Sequence, residues 1–181
     1  MRMDLLAIVS ILVATKAPGQ DVPPLPPTSI ATAANFAANP ELVKLFNGYW
    51  KPESVIADGV EQLSTPEAKA SIILRIRNGE YAIFAIKDAK NDTGLRLCTA
   101  QLTLQQEPRT FELLITDGFR KGQRLHGIYD FAGERLRICY GPAELPRPTT
   151  FDAPKDSGRF CETWRKEAKS TSAEDSSKSN R

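Results

Sequence analysis

Residues 122–151, GQRLHGIYDFAGERLRICYGPAELPRPTTF, contain two short alternating runs, Leu125–Phe131 and Arg135–Tyr140. Ala132-Gly133 joins them, and a proline-rich loop follows. Alternation broken by a glycine-containing pair predicts an antiparallel hairpin with one buried face. Parity then sorts the side chains. Leu136, Ile138 and Tyr140 share one face, and Arg135, Arg137 and Cys139 the other. Leu125, Tyr129 and Phe131 likewise oppose His126 and Asp130.

The same pattern continues outward from this hairpin. Ile72–Arg77 and Tyr81–Lys87 flank Asn78-Gly79, the strongest short-range hairpin signal. Tyr49–Ala57 ends at Asp58-Gly59, and Leu95–Gln105, Thr110–Ile115 and Arg159–Arg165 complete a set of about eight strands. Turn signals between nearly every pair predict an all-β fold, an antiparallel up-and-down barrel. Asn39-Pro40-Glu41 reads as a helix start, because Asn caps, Pro fits the first turn and Glu complements the dipole. Leu42, Leu45 and Phe46 give that short N-terminal helix one apolar face, and Thr65–Ala70 reads as a single helical turn. The run from Tyr81 to Ile86 is apolar on both faces, so its outer side needs a cover, and the helix Glu41–Phe46 is the candidate.

The 181 residues allow one ordinary domain with tails, and 41% hydrophobic content suffices for a packed core. Residues 1–19 read as a signal peptide: Arg2 is followed by the apolar run Leu5–Ala14, and Ala17-Pro18-Gly19 offers small residues before Gln20. The run is too short to span a bilayer stably. Removal of residues 1–19 takes away Arg2, Lys16 and Asp4 and leaves 22 basic and 21 acidic residues. A near-neutral chain argues against nucleic acid as a partner. Residues 20–38 form a Pro/Ala-rich linker, 39–167 the barrel domain, and 168–181 a polar tail with no apolar period, read as disordered. The expected location is therefore extracytoplasmic, periplasmic or secreted.

In that compartment cysteines pair. Cys139 and Cys161 lie equally far from Thr150, so a regular hairpin would set them opposite each other at a bridgeable distance. Cys98–Cys161 is the rival pairing, and an odd cysteine count leaves one thiol unpaired.

Several of these words resemble a lipocalin-like conserved domain family of planctomycete bacteria. Gly48-Tyr49-Trp50 matches its opening Gly-x-Trp, and Pro108 precedes a strand as in the family. Gly127-Ile128-Tyr129, Leu136–Cys139, Arg147-Pro148, Phe151 and Trp164-Arg165-Lys166 continue the match over about Leu42 to Glu167. The Cys98 and Cys161 positions depart from the pattern. The resemblance implies a lipocalin-like barrel with no assigned reaction and no cofactor. It also implies a closure contact, with the Arg165 guanidinium stacked on Trp50, although parity turns Arg165 outward.

Candidate chemistry is sparse. His126 is the single histidine, which excludes a His-rich metal site, and no nucleophile is identifiable beside it. Asp88, Asp92 and Asp117 belong to turns and lack the spacing of a calcium loop. Pro142 to Pro148 has PxxP-like spacing but reads as a rigid loop. No catalytic residue, metal or cofactor is expected, and the chain reads as a non-enzyme. Trp50, Tyr81, Phe111, Tyr129, Tyr140 and Trp164 are the candidates to line a ligand cavity, or else to fill the lumen. The leading function is binding of a small apolar or amphipathic molecule. The alternative is a cell-envelope interaction module with a filled barrel. A cavity of roughly 300 Å³ or more would favour the first.

Overall fold

The computed structural model describes residues 39–86, 94–118 and 120–167. The expected signal peptide, linker and polar tail lie outside these residues. Helix α1 (Pro40–Phe46) leads into β1 (Gly48–Ala57) and the two-residue β2 (Val60–Glu61). One helical turn, α2 (Pro66–Ala70), precedes β3 (Ile72–Arg77), β4 (Glu80–Ala85) and β5 (Leu95–Gln105). β6 (Thr110–Gly118), β7 (Arg124–Ala132), β8 (Arg135–Pro142) and β9 (Phe160–Lys166) follow.

Each strand from β3 to β9 pairs antiparallel with the next, β1 pairs with β3, and β1–β9 pairing closes the sheet. The result is an eight-stranded antiparallel barrel with β2 as a short appendage on β1. Both helices have the start signals their sequences carry: the Asn39 and Thr65 side chains accept from the backbone N–H groups of Leu42 and Ala68, with proline in each first turn. Asn78 adopts φ 50° and Gly79 φ 84°, as a tight hairpin turn requires.

Strand alternation fills the interior. Leu74, Ile76, Leu102, Leu104, Leu113, Ile115, Leu136 and Ile138 are buried within the barrel. Gly127 faces inward between Phe111 on β6 and Tyr140 on β8. A Cβ there would meet the Cys139 carbonyl oxygen at 2.3 Å and both aromatic side chains at 2.7 Å. The missing side chain lets the Phe111 and Tyr140 rings meet edge to face, 6.0 Å between centroids.

The expected helix cover over β4 is corrected. α1 closes one end of the barrel instead: Phe46 packs edge-on against Tyr129 and Phe131 at 5.0 and 4.9 Å, and Trp50 Nε1 donates to the Phe46 carbonyl oxygen at 2.9 Å. The outer face of β4 is covered by cations, with the Arg75 and Arg96 guanidiniums 5.1 and 5.7 Å from the Phe84 ring centre. Helix α1 is only seven residues long and ends one residue before β1 begins, too close to that strand to reach the β4 wall.

On the outer face of β8 and β9, Cys139 and Cys161 lie directly opposite, Cα atoms 4.2 Å apart, joined by a disulfide. Cys98 keeps a buried free thiol. Ile56, Ile128 and Ala153 pack around the disulfide, so the β8–β9 loop is strapped onto the outside of the barrel. Arg147 ties this loop down by donating to the Phe111 and Gly127 carbonyl oxygens at 2.9 and 3.0 Å. Pro148 is fully buried.

Candidate functional site

Between the plugged end and the opposite mouth, the lumen narrows to an apolar cavity of about 50 Å³. Val55, Leu63, Ile72, Ile83, Leu97 and Leu125 supply apolar walls, with Tyr140, Phe160 and Trp164 completing them. The volume is well below the roughly 300 Å³ of an ordinary ligand pocket, and a water needs only about 10–15 Å³. The interior is therefore mostly filled by side chains.

Two polar groups also face this cavity. Glu162 on β9 shares the inward parity of Phe160 and Trp164, with a relative exposure of 4%. Its carboxylate accepts from Tyr140 Oη at 2.6 Å, Trp164 Nε1 at 2.8 Å and Tyr81 Oη at 3.3 Å. Burial pushes its pKa up, and the three donors pull against that rise. Burial, then the neighbouring carboxylate, holds Tyr81 and Tyr140 well above the ordinary phenol range. Cys98 belongs to the same interior, its thiol pushed up to about 11 by burial.

Arg120, in the turn between β6 and β7, lines the mouth. It is 9% exposed, and its guanidinium lies 5.7 Å from the Phe160 ring centre. Burial works against its charged form, with the neighbouring Tyr140 in weak opposition. Among the described residues no carboxylate pairs with it.

The aromatic candidates divide between the two ends. Tyr140 and Trp164 line the cavity, Tyr81 reaches it through Glu162, and Phe111 supports Tyr140 from behind. Trp50 and Tyr129 belong to the packed end, where Tyr129 Oη also donates to the Gln105 carbonyl oxygen at 2.9 Å. The closure contact differs from the expected one. The cation over Trp50 is Lys166, its Nζ 5.1 Å from the ring centre, whereas Arg165 points outward and pairs with Glu53. Trp50 and Lys166 are cross-strand partners, and Arg165 pairs with Lys51 on the other face. Parity thus sets which cation reaches the ring.

Sequence reasoning missed both polar groups. The alternation Phe160-Cys161-Glu162-Thr163-Trp164 contains the signal for Glu162, since an outward Cys161 forces its neighbour inward. Arg120 lies in a turn, where no periodicity points. His126 sits on the outer face, where its Nε2–H donates to the Leu145 carbonyl oxygen at 2.8 Å and helps fasten the loop. Among the described residues no group of three or more His, Cys, Asp or Glu side chains is placed to hold a metal ion. Among them too, no helix is long and apolar enough to cross a membrane.

No protein-family model and no curated protein sequence matches the chain. Among solved structures, a point mutant of the fluorescent protein UnaG is similar, with 11% identity and a TM-score of 0.35. The match covers 70% of this chain and 99% of that one. The barrel assignment rests on the strand pairing above, not on that likeness.

Proposed function

We propose that the chain is a non-enzymatic binding barrel that accepts the end of a small apolar or amphipathic molecule. The observation that carries this reading is an apolar cavity with polar groups held at two defined places, Glu162 in its depth and Arg120 at its mouth. Apolar walls with a few fixed polar groups are the usual composition of a small-molecule site. The small volume restricts the reading: a few carbon atoms enter, and the remainder of the molecule stays in the mouth. Export to an extracytoplasmic compartment is part of the proposal, supported by the Cys139–Cys161 disulfide, a bond that persists in oxidising surroundings. So is membership of the planctomycete lipocalin-like family, supported by the Gly127-Ile128-Tyr129 word.

The cavity volume itself favours the second reading, a filled barrel that meets a protein partner through its outer loops. Native mass spectrometry of protein purified from its own source separates the two. A co-purified small molecule at stoichiometric occupancy is the expected result. A bare chain in every preparation, together with a recurrent protein partner, would put the second reading in place of the first.

A further inference from the structure

We propose that the mouth of the cavity selects anionic amphiphiles, with Arg120 as the anchor for a carboxylate head group. This inference rests on the binding reading above and names its ligand class. A guanidinium has five donors, and burying it without an acceptor is costly. Arg120 is 9% exposed, its nitrogens still open to solvent where it lines the mouth, and no carboxylate among the described residues pairs with it.

The obvious internal acceptor is Glu162, and it is otherwise engaged. One of its oxygens takes Tyr140 Oη, and the other takes both Trp164 Nε1 and Tyr81 Oη. Tyr140 lines the same cavity and gives its hydroxyl hydrogen to Glu162, so it is committed to that carboxylate. The face of Phe160, 5.7 Å away, offsets part of the desolvation but supplies no hydrogen-bond acceptor. Leu63, Leu97 and Leu125 share the cavity lining with the guanidinium. A molecule with a short hydrocarbon tail and a planar two-oxygen anion satisfies both features. Its tail enters among the leucines while its carboxylate takes the fork geometry that a guanidinium offers.

The test compares hexanoate, 1-hexanol and hexylamine on the intact chain, read by the two tryptophan indole N–H signals in solution NMR. Trp164 lines the cavity and Trp50 lies in the plugged end, so only the Trp164 signal should move. Hexanoate is expected to bind about tenfold or more tighter than 1-hexanol, the ratio a charge-assisted pair confers. Arg120→Gln should bring the two ligands within about twofold of each other, and Arg120→Lys should keep part of the preference. Equal affinity of hexanoate and 1-hexanol in the wild type overturns the anchor but leaves the cavity reading standing, and that comparison needs no variant to fold. Hexylamine binding most tightly would assign the site to Glu162 and also overturn the anchor. A Trp164 signal unmoved by all three at millimolar concentration overturns both readings together.

Discussion

The two ends of this barrel are built from the same strands by the same alternation, yet one is solid and the other is not. At the α1 end, Phe46, Tyr129 and Phe131 interlock edge to face, Trp50 lies tilted against Phe131, and the Trp50 indole N–H is spent on the helix's last carbonyl. At the mouth, leucines, Phe160 and Arg120 surround open space. The difference comes from chain connectivity. α1 precedes β1 directly and folds back under it, whereas α2 is a single turn with no buried residue. A plug needs an apolar side chain delivered along the barrel axis, and among the described residues α1 delivers it. The mouth is held from outside instead, by the disulfide and the strapped loop.

The sharpest way to break the comparison is to remove the plug. Phe46→Ala should lose about 3–5 kcal/mol, the range for truncating a buried aromatic. Leu97→Ala, at the half-buried mouth, should lose about 1 kcal/mol or less, because its surroundings are already open. Urea denaturation of both variants measures the contrast, and equal losses would mean that the mouth is packed as tightly as the plug.

The next effect tests the external support. The disulfide closes a chain separation of 22 residues. The Cys139→Ala/Cys161→Ala double variant should therefore lose about 3 kcal/mol. Its β8–β9 loop amides should exchange with solvent faster, while those of α1 stay protected, as hydrogen exchange would report. Loss of protection at α1 as well would show that the two ends are not independent.

A smaller effect concerns Glu162. Glu162→Leu strands three buried donors and should cost about 2–3 kcal/mol. Glu162→Gln, which keeps an acceptor, should cost less and should change the pH dependence. In the wild type the folded carboxyl holds its proton more tightly than the unfolded one, whose ordinary value is 4.5. Stability from this group is thus full below that value and is lost as pH rises through the raised folded value. The stability advantage of wild type over Glu162→Gln should shrink as pH rises from 4.5 through the raised folded value. Glu53 and Asp130 shift downward through their arginine partners, so they slope the opposite way in both proteins and cancel in the comparison.

Much of the barrel was legible in the sequence because its signals are local. Asn78-Gly79 fixes a turn, Leu125–Phe131 and Arg135–Tyr140 alternate cleanly, and the span centred on Thr150 sets Cys139 against Cys161. The location of α1 was not legible, since the apolar face of Leu42, Leu45 and Phe46 states that the helix packs without stating against what. The candidate site was read by residue type, which finds Tyr140 and Trp164. Glu162 was available from parity alone, and Arg120 from nothing local, because its environment is assembled by β6, β7 and β9 together.

The smallest effect separates two neighbouring cations at the plugged end. Lys166 is inward by parity: its Nζ donates to the Leu45 and Lys44 carbonyl oxygens at 2.8 and 3.2 Å and lies over Trp50. Those carbonyls end α1, where a cation also meets the favourable end of the helix dipole. Arg165 is outward, and its pairing with Glu53 is shared with Arg135 in a solvent-exposed cluster. Lys166→Met keeps most of the stem's apolar cover and removes the charge, so it isolates the cation's contribution, expected at about 1 kcal/mol. Arg165→Ala should cost about 0.5 kcal/mol or less, because exposed pairs contribute little and Glu53 retains Arg135. Thermal unfolding of the two variants ranks them. If Arg165→Ala proves the more damaging, closure runs through the outer face and the plug is not what seals this end.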